Sequence, residues 1–333
     1  MKIAFRSFES SDVPALLAFS KEMFGDGHYQ SDPAYLNWLY EENPNGRGLH
    51  DAVLATADGK IAGVVHRMVL PCVADGDSAI LFSLQNHVVR PDLRGGAGML
   101  LLRQASRDGM TYSPGVHGRL SEAYRRLGYV ELPSFWLTRL LRPARAAIHM
   151  TLRKLGRERA SRVRIDLGKV RRAVGAGIMV TASPPGAALS ALAGRLDAQA
   201  EAHGGGRIAW TGESLRWRFF SPGGPRHILV ERGDDWAILS LGLRSGVKVS
   251  RLLETGGEDP HFMNIVLRAA KAMGASVALA QSTLPQFRDR LLASGWRLRE
   301  DPPSSFAKGL PRLAASAGAG DIGFEAFGAV VAE

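Results

Sequence analysis

The chain is predicted to be a mixed α/β protein of two similar domains, and three observations predict it. Its 333 residues exceed what one average hydrophobic core encloses. Strand-like runs of period two alternate with helical runs of period near 3.6, the pattern of a mixed sheet flanked by helices. The order of the first half returns, weakly, in the second. The expected division is a first domain over 1–138, a basic linker over 139–175, a second domain over 176–312 and a flexible tail over 313–333.

In order, Ile3 to Phe8 reads as a first strand. Ser10, Ser11 and Asp12 offer capping oxygens and Pro14 a first-turn proline ahead of a helix carrying Leu16, Leu17, Phe19 and Met23. An aromatic block, Tyr35 to Tyr40, precedes the turn cluster Asn43 to Gly46. Val53 to Ala57 and Ile61 to Val69 form a hairpin across the tight turn Asp58-Gly59. Ser83 to Val89 is a half-buried strand stopped by Pro91 and Asp92. Arg94, Gly95, Gly96, Ala97 and Gly98 form a turn with almost no side-chain bulk, and Met99 to Asp108 is a helix. Met110 to Val116 (strand), Gly118 to Gly128 (helix) and Tyr129 to Leu132 (strand) complete the first half.

The second half reads as a strand at Ile178 to Ala182, a helix at Ala187 to Ala202 and an aromatic block, Glu213 to Phe220, that echoes Tyr35 to Tyr40. Strands at His227 to Val230 and Trp236 to Leu243, a helix at His261 to Met273, a strand at Ser276 to Ala280 and a helix at Pro285 to Ala293 follow.

Composition narrows the classes. Hydrophobic residues make up 45% and charged residues 22%, which describes a globular protein. The single cysteine, Cys72, excludes an internal disulfide and suits a reducing compartment, so a cytoplasmic location is expected. Lys2 and Arg6 flank a strand-like run with no apolar core of signal-peptide length, and no secretion signal is predicted. The uncharged stretch Ala173 to Gly194 holds Pro184, Pro185 and several glycines, so a strand, a turn and a helix start explain it better than a membrane span. No metal-ligand spacing, nucleophile elbow or His/Cys cluster is present.

A strand, a small-residue loop and a helix start converge on one point, where unpaired backbone N–H groups and a positive dipole end attract a phosphate. Val89, Pro91, Arg94, Gly95, Gly96 and Gly98, followed by Leu100, Leu101 and Leu102, resemble the acyl-CoA loop of the GNAT acyltransferase family, whose pattern is V-x-P-x-x-R-G-x-G-x-G/A. Trp38-Leu39-Tyr40 with Asn43, Pro44 and Gly46, and Tyr112-Ser113-Pro114-Gly115, look like GNAT-type proteins associated with surface-polysaccharide biosynthesis, which often repeat the domain.

The resemblance implies two tandem GNAT-like domains and an acyl-CoA co-substrate, acetyl-CoA or another acyl-CoA, with no metal. It implies that Arg94, Gly95, Gly96, Ala97, Gly98 and Met99 hold the pyrophosphate and that Val88 and Val89 pair with the pantetheine arm. It also implies that Tyr124, four residues before Gly128-Tyr129, stands near the sulfur, where a phenol can protonate a departing thiolate without bringing a charge into an apolar cleft. The activity implied is transfer of an acyl group, with acetyl as the first choice, to the amine of a small molecule or amino sugar, by direct attack in a ternary complex. By period two, Ser83, Gln85, His87 and Val89 share one strand face, and His87 is the only titratable member, a candidate base. Gln85, His28, Tyr29 and His117 are candidates to line the acceptor site.

The second copy is expected to be degenerate: Gly242 to Glu258 carries no Arg-Gly-x-Gly loop, and Leu291 stands where Tyr124 stands in the first. Between the copies, residues 139–172 hold twelve Arg and Lys against Glu158 and Asp166, an excess equal to the formal +10 of the whole chain. From Pro143, a helix is expected with Ala144, Ala147, Ile148, Thr151, Leu152 and Leu155 on one face. Three readings stand for this segment: a helix packed between the domains with its charges in water, a peripheral contact with an anionic membrane surface, or a contact with nucleic acid phosphates such as those of a tRNA. The nucleic-acid reading ranks last, because the segment lacks Phe, Trp and Tyr. Two alternative functions accompany the first: a tRNA-dependent aminoacyl transferase of the cell-wall or lipid type, and a binding protein without catalysis.

Overall fold

A computed structural model describes residues 3–26, 28–93, 96–116, 118–154, 163–202, 206–244, 246–300, 302–310, 313–314 and 330–332. Arg94, Gly95 and His117, three of the expected site residues, lie outside the described residues.

The first half contains strands β1 (Ile3–Ser7), β2 (Val53–Ala57), β3 (Lys60–Ala74), β4 (Asp77–Val89), β5 (Met110–Val116), β6 (Val130–Leu132) and β7 (Phe135–Leu140). Its helices are α1 (Val13–Phe24), α2 (Pro33–Leu36), α3 (Gly96–Ala105) and α4 (Arg119–Arg126). Helix α5 (Pro143–Lys154), strand β8 (Arg164–Asp166) and helix α6 (Leu167–Val174) bridge to the second half. There follow β9 (Met179–Thr181), α7 (Gly186–Glu201), β10 (Gly206–Ile208), α8 (Gly212–Leu215), β11 (His227–Arg232), β12 (Asp235–Arg244), β13 (Val247–Gly256), α9 (Phe262–Ala272), β14 (Val277–Ser282), α10 (Pro285–Ala293), β15 (Arg297–Leu298), β16 (Ser304–Lys308), β17 (Leu313–Ala314) and β18 (Val330–Ala332).

Local chemistry accounts for the helix starts. The Asp12 carboxylate accepts from the Glu9 N–H at 2.9 Å and pairs with Arg6 just ahead of α1, which has Pro14 in its first turn. Asp32 Oδ1 accepts from Ala34 N at 2.9 Å to cap α2. Thr211 and Ser214 form a reciprocal capping box on α8. Both short helices continue into a wider π-helical turn, Asn37–Glu41 and Arg216–Phe220, so the two aromatic blocks share one conformation.

The two large sheets have the same strand order. The first runs β1-β2-β3-β4-β5-β16-β6 and the second β9-β11-β12-β13-β14-β7-β15. Along each of these paths the pair β4 with β5, or β13 with β14, is parallel and the other neighbours antiparallel; β17 lies parallel to β10 off the first path. The copies exchange a strand. β7 leaves the first half to pair with β14 and β15, and β16 returns from the second half to fill the matching gap between β5 and β6. The expected boundary at 138 therefore falls within a strand of the second sheet. β10 adds to β3, and β17 to β10, so part of the expected tail is paired strand.

One core runs through both copies. Leu16, Tyr35, Trp38 and Tyr112 belong to the same buried cluster as Leu189, Trp217, Trp236 and Leu253. At its centre the Trp38 and Trp217 rings stack with centroids 5.4 Å apart. Each indole N–H donates to the other residue's carbonyl, at 3.0 and 2.6 Å, a reciprocity expected of two copies about an approximate two-fold axis. A second cluster, with Leu137, Val170, Ile238's neighbours Ala237 and Leu239, Phe262 and Trp296, underlies the second sheet. A third, with Phe82, Leu84, Val89, Leu101 and Tyr124, fills the α3 and α4 face of the first.

The structure corrects four expectations. Helix α3 begins at Gly96 rather than Met99, so Gly96, Ala97 and Gly98 form its first turn; small residues suit that turn because its N–H groups have no helical acceptor anyway. The alternation of β4 is broken by a bulge. The apolar face of α5 does not pack inward as the first of its three readings has it: Ala144, Ala147, Ile148 and Thr151 are exposed, Leu152 is half-buried, and Leu155 lies outside the described residues. Three strands, β7, β13 and β16, lacked a local signal: β13 is buried almost throughout and shows no alternation, and β16 is short.

Candidate functional site

The bulge makes the site. Val64 faces Val88 and His66 faces Gln85, so Asn86 and His87 together oppose the single residue Val65. Asn86 adopts a left-handed conformation, φ +50°, which asparagine tolerates better than most residues. Its side chain is held on the α2 face: Tyr29 Oη donates to Asn86 Oδ1 at 2.8 Å, and Asn86 Nδ2 donates to Tyr35 Oη at 3.0 Å. The extra residue reverses the strand's facing. Ser83 and Gln85 stay together, with Gln85 Nε2 donating to Ser83 Oγ at 2.9 Å, while His87 and Val89 turn to the α3 side, beside Gly98. The expectation that Ser83, Gln85, His87 and Val89 share one face is overturned by this one residue.

Past the bulge the sheet opens. β4 and β5 form rungs only at Leu81, Phe82 and Ser83 with Met110, Thr111 and Tyr112. From Leu84 to Val89 and from Ser113 to Val116 the two strands have no rung between them, so the sheet is splayed at this place. Gly63 lets α3 lie close at this place: a Cβ there would stand 2.9 Å from the Val88 carbonyl and 3.2 Å from Leu101.

Beside the opening is a groove of about 870 Å³. α1 contributes Met23 and Phe24, β4 contributes His87, Val88 and Val89, α3 contributes Gly98, Met99 and Leu102, and α4 contributes Leu120, Glu122, Ala123 and Arg126. The first turn of α3 points its N–H groups toward this end of the strand, and Arg126, tied to Glu122 at 3.0 Å, adds a cation at the rim. A groove of this kind, mostly apolar and bordered by the first turn of a helix, suits a long ligand that carries phosphate.

His87 is half-buried, and its Nε2 has no hydrogen-bond partner among the described residues. Burial pushes its imidazole down to about 4, partly opposed by the Gly98 backbone, so it is neutral at pH 7. Tyr124 is 2% exposed and does not line the groove; its ring packs edge-on to Tyr129 and stacks on Phe306 of the exchanged β16. Tyr124 Oη and Ser113 Oγ are 2.7 Å apart, either donating, and Ser113 is the first β5 residue beyond the last β4–β5 rung. Burial raises the Tyr124 pKa well above the ordinary phenol value, so it holds its proton.

Of the other expected residues, Ala97 is buried against the sheet and Gly96 is exposed at the helix start. Gln85, 2% exposed, lies away from the groove. His28 stacks on Phe24, one of the groove residues, at 4.5 Å and makes a tilted contact with the Tyr29 ring at 4.5 Å, and burial lowers its pKa. Ser113, Ala123 and Leu120 were missed; Leu120 and Ala123, three apart on a charged helix, were the available signal. Among the described residues no group of three or more His, Cys, Asp or Glu is placed to hold a metal ion, and no helix is long and apolar enough to cross a membrane.

Solved structures share this architecture. A GCN5-related N-acetyltransferase from Anabaena variabilis aligns with a TM-score of 0.57 at 10% identity, covering 92% of this chain and 72% of that one. The N-myristoyltransferase of Saccharomyces cerevisiae, with bound myristoyl-CoA, aligns with a TM-score of 0.62 at 9% identity, covering 94% and 80%. A probable N-acyltransferase from Enterococcus faecalis aligns with a TM-score of 0.53 at 9% identity, covering 92% and 72%. The chain has the GNAT fold. No protein-family model and no curated protein sequence matches it.

The second GNAT-like copy keeps the bulge but closes the groove. Ile238 faces Glu254 and Leu239 faces Leu252, which leaves Leu253 as the extra residue of β13. Aligning Leu291 with Tyr124 puts Arg290 at the position of Ala123, the α4 residue that lines the first groove. Arg290 reaches across to the loop before α9: Nη1 donates to the Gly257 carbonyl at 2.7 Å and Nη2 to the Asp259 carbonyl at 3.3 Å. Asp235 accepts from Asp259 N at 3.0 Å, and Arg232 pairs with Asp259. The loop before α9 is thus engaged by the protein's own charges.

Proposed function

We propose that this protein is an acyl-CoA-dependent N-acyltransferase whose first GNAT-like copy is catalytic. The observation that carries the proposal is the opening between β4 and β5 beside the groove: the two strand edges have no rung between them beyond Ser83 and Tyr112, and the cleft beside them is lined by Gly98 and Met99 of the first turns of α3. The pantetheine amides pair with β4 at Val88 and Val89, and the diphosphate meets residues 94–99, of which Gly96 to Gly98 are the first turn of α3. The thioester then lies between the strands. The co-substrate is acetyl-CoA or another acyl-CoA, and the acceptor is an amine of a small molecule or amino sugar.

In the reaction the amine nitrogen attacks the thioester carbonyl, and the tetrahedral adduct collapses with formation of the C–N bond and cleavage of the C–S bond. The departing thiolate takes a proton from Tyr124, which Ser113 orients, and the phenol regains its proton once the products have left. The proton lost by the nitrogen passes to solvent. His87, which takes up a proton only at about pH 4, is a weak base; its part in the proposal is a hydrogen bond to pantetheine from the unpartnered Nε2. His28 and Tyr29 stand on the acceptor side with Asn86.

The second copy supplies the test. Ala123→Arg installs in the open groove the residue that closes the other one. Titration calorimetry with CoA is expected to show binding to the parent and a loss of at least ~100-fold in the variant, with an unchanged melting temperature. Equal affinity in both would mean that CoA does not use this groove.

A further inference from the structure

Helix α5 is turned the wrong way for a helix that serves only to pack. It lies against β13, with Ala146 buried and His149 and Leu152 half-buried on the inner side. Ala144, Ala147, Ile148 and Thr151, which share one stripe at helical spacing, all face solvent. Ile148 is 59% exposed, Met150 next to the stripe 56%, and Leu140 at the end of β7 leading into α5 55%. An aliphatic surface of this kind is unfavourable in water unless something covers it.

The surroundings indicate what would cover it. Arg142 donates to the Lys271 carbonyl at 2.7 Å, and Arg145 lies close enough to Lys248 to add to the burial that lowers its ammonium pKa. No carboxylate pairs with Arg142, Arg145, Lys248 or Lys271 among the described residues, whereas Arg6, Arg90, Arg195 and Arg207 each have such a partner. Like charges crowded without acids require an anionic counterpart. A polyanion such as RNA would satisfy the charges but gain nothing from Ile148 and Met150, and residues 139–172 contain no Phe, Tyr or Trp on which bases stack. A bilayer with acidic headgroups satisfies both halves of the surface, because aliphatic side chains enter the acyl boundary while the basic ones meet the phosphates.

We propose that α5 is an interfacial helix that docks the protein on an anionic membrane surface through the outward stripe around Ile148, with Arg142, Arg145, Lys248 and Lys271 as its cationic rim. The proposal is independent of acyl transfer, since α5 packs on the second sheet and none of these residues lines the groove.

The test is co-sedimentation of the full chain with vesicles of phosphatidylcholine alone and of phosphatidylcholine with about one-third phosphatidylglycerol. The parent is expected to bind the mixed vesicles and not the neutral ones, and to be released by high salt. Arg145→Glu is expected to lower partitioning by more than about fivefold, from the worth of one basic side chain near such a surface. Ile148→Asp is expected to lower it about tenfold. A second readout avoids dependence on the folding of these variants. Cys72 is buried, so an Ile148→Cys protein takes an environment-sensitive fluorophore at position 148 alone, and its emission should shift to the blue on mixed vesicles. Failure to bind, equal binding to neutral vesicles, or an unshifted fluorophore overturns the proposal. So does binding that a single-stranded RNA abolishes while Ile148→Asp leaves it intact, which would make the face a polyanion site.

Discussion

Replacing Tyr124 by phenylalanine separates the two tasks that the structure gives this side chain. The ring keeps its contacts with Tyr129 and Phe306, and only the hydroxyl 2.7 Å from Ser113 Oγ is lost. Ser113 is 4% exposed, so its hydroxyl loses a partner that water cannot readily replace, at a cost of about 1–3 kcal/mol. A drop of a few degrees in melting temperature is expected from that term alone. Loss of a general acid lowers turnover by roughly 10²–10⁴-fold, equivalent to about 3–5 kcal/mol of transition-state stabilisation. CoA affinity should be unchanged, because Tyr124 is outside the groove. The assay follows free thiol released from acetyl-CoA with a panel of amines and amino sugars, alongside calorimetry and thermal melts. Ser113→Ala should lower turnover less, and the double variant should be no slower than Tyr124→Phe, since Ser113 acts only through the phenol. A variant with the expected drop in melting temperature and full turnover would show that the hydroxyl serves packing alone and would remove Tyr124 from the chemistry.

Two further predictions concern stability. His66 is fully buried, bonded through Nδ1 to Tyr40 Oη at 2.7 Å, and burial pushes its pKa down to about 3. The unfolded chain therefore takes the proton first, near pH 6.5, so stability present above that pH is lost as pH falls toward 3, by on the order of 4 kcal/mol; the urea midpoint should track this, and His66→Asn, though less stable at pH 7, should lose that part of the slope. Trp38→Ala removes one ring of the stacked pair and one of the two reciprocal hydrogen bonds, and is expected to cost about 3–5 kcal/mol in urea denaturation, with both copies unfolding together because they share that core; a separate transition for the second copy would contradict the shared core.

Much of the architecture was written locally. Pro14 in the first turn of α1, the Asp58-Gly59 turn and the matching aromatic blocks around Trp38 and Trp217 each act within a few residues, and each marked an element that formed. The site was legible in its outline. Val88, Val89, Gly98 and Met99, expected at the cofactor, and His87, expected as a base, line the groove, while Leu120 and Ala123 went unseen because an apolar pair three apart on a helix reads first as core packing. Gln85 was misplaced by a single bulged residue that period two does not foresee.

The sequence by itself determined the element types, their repeated order, the lone cysteine and the concentration of positive charge in residues 139–172. All follow from composition or from periods of a few residues. Only the tertiary structure decided that β7 and β16 change sheets, that Arg290 shuts the second groove and that Ile148 faces water rather than β13. The physical reason is range. Hydrophobic periodicity tells a segment which of its faces is apolar, but which distant strand fills a gap, or which side chain reaches across a cleft, depends on the competition among all surfaces brought together on folding.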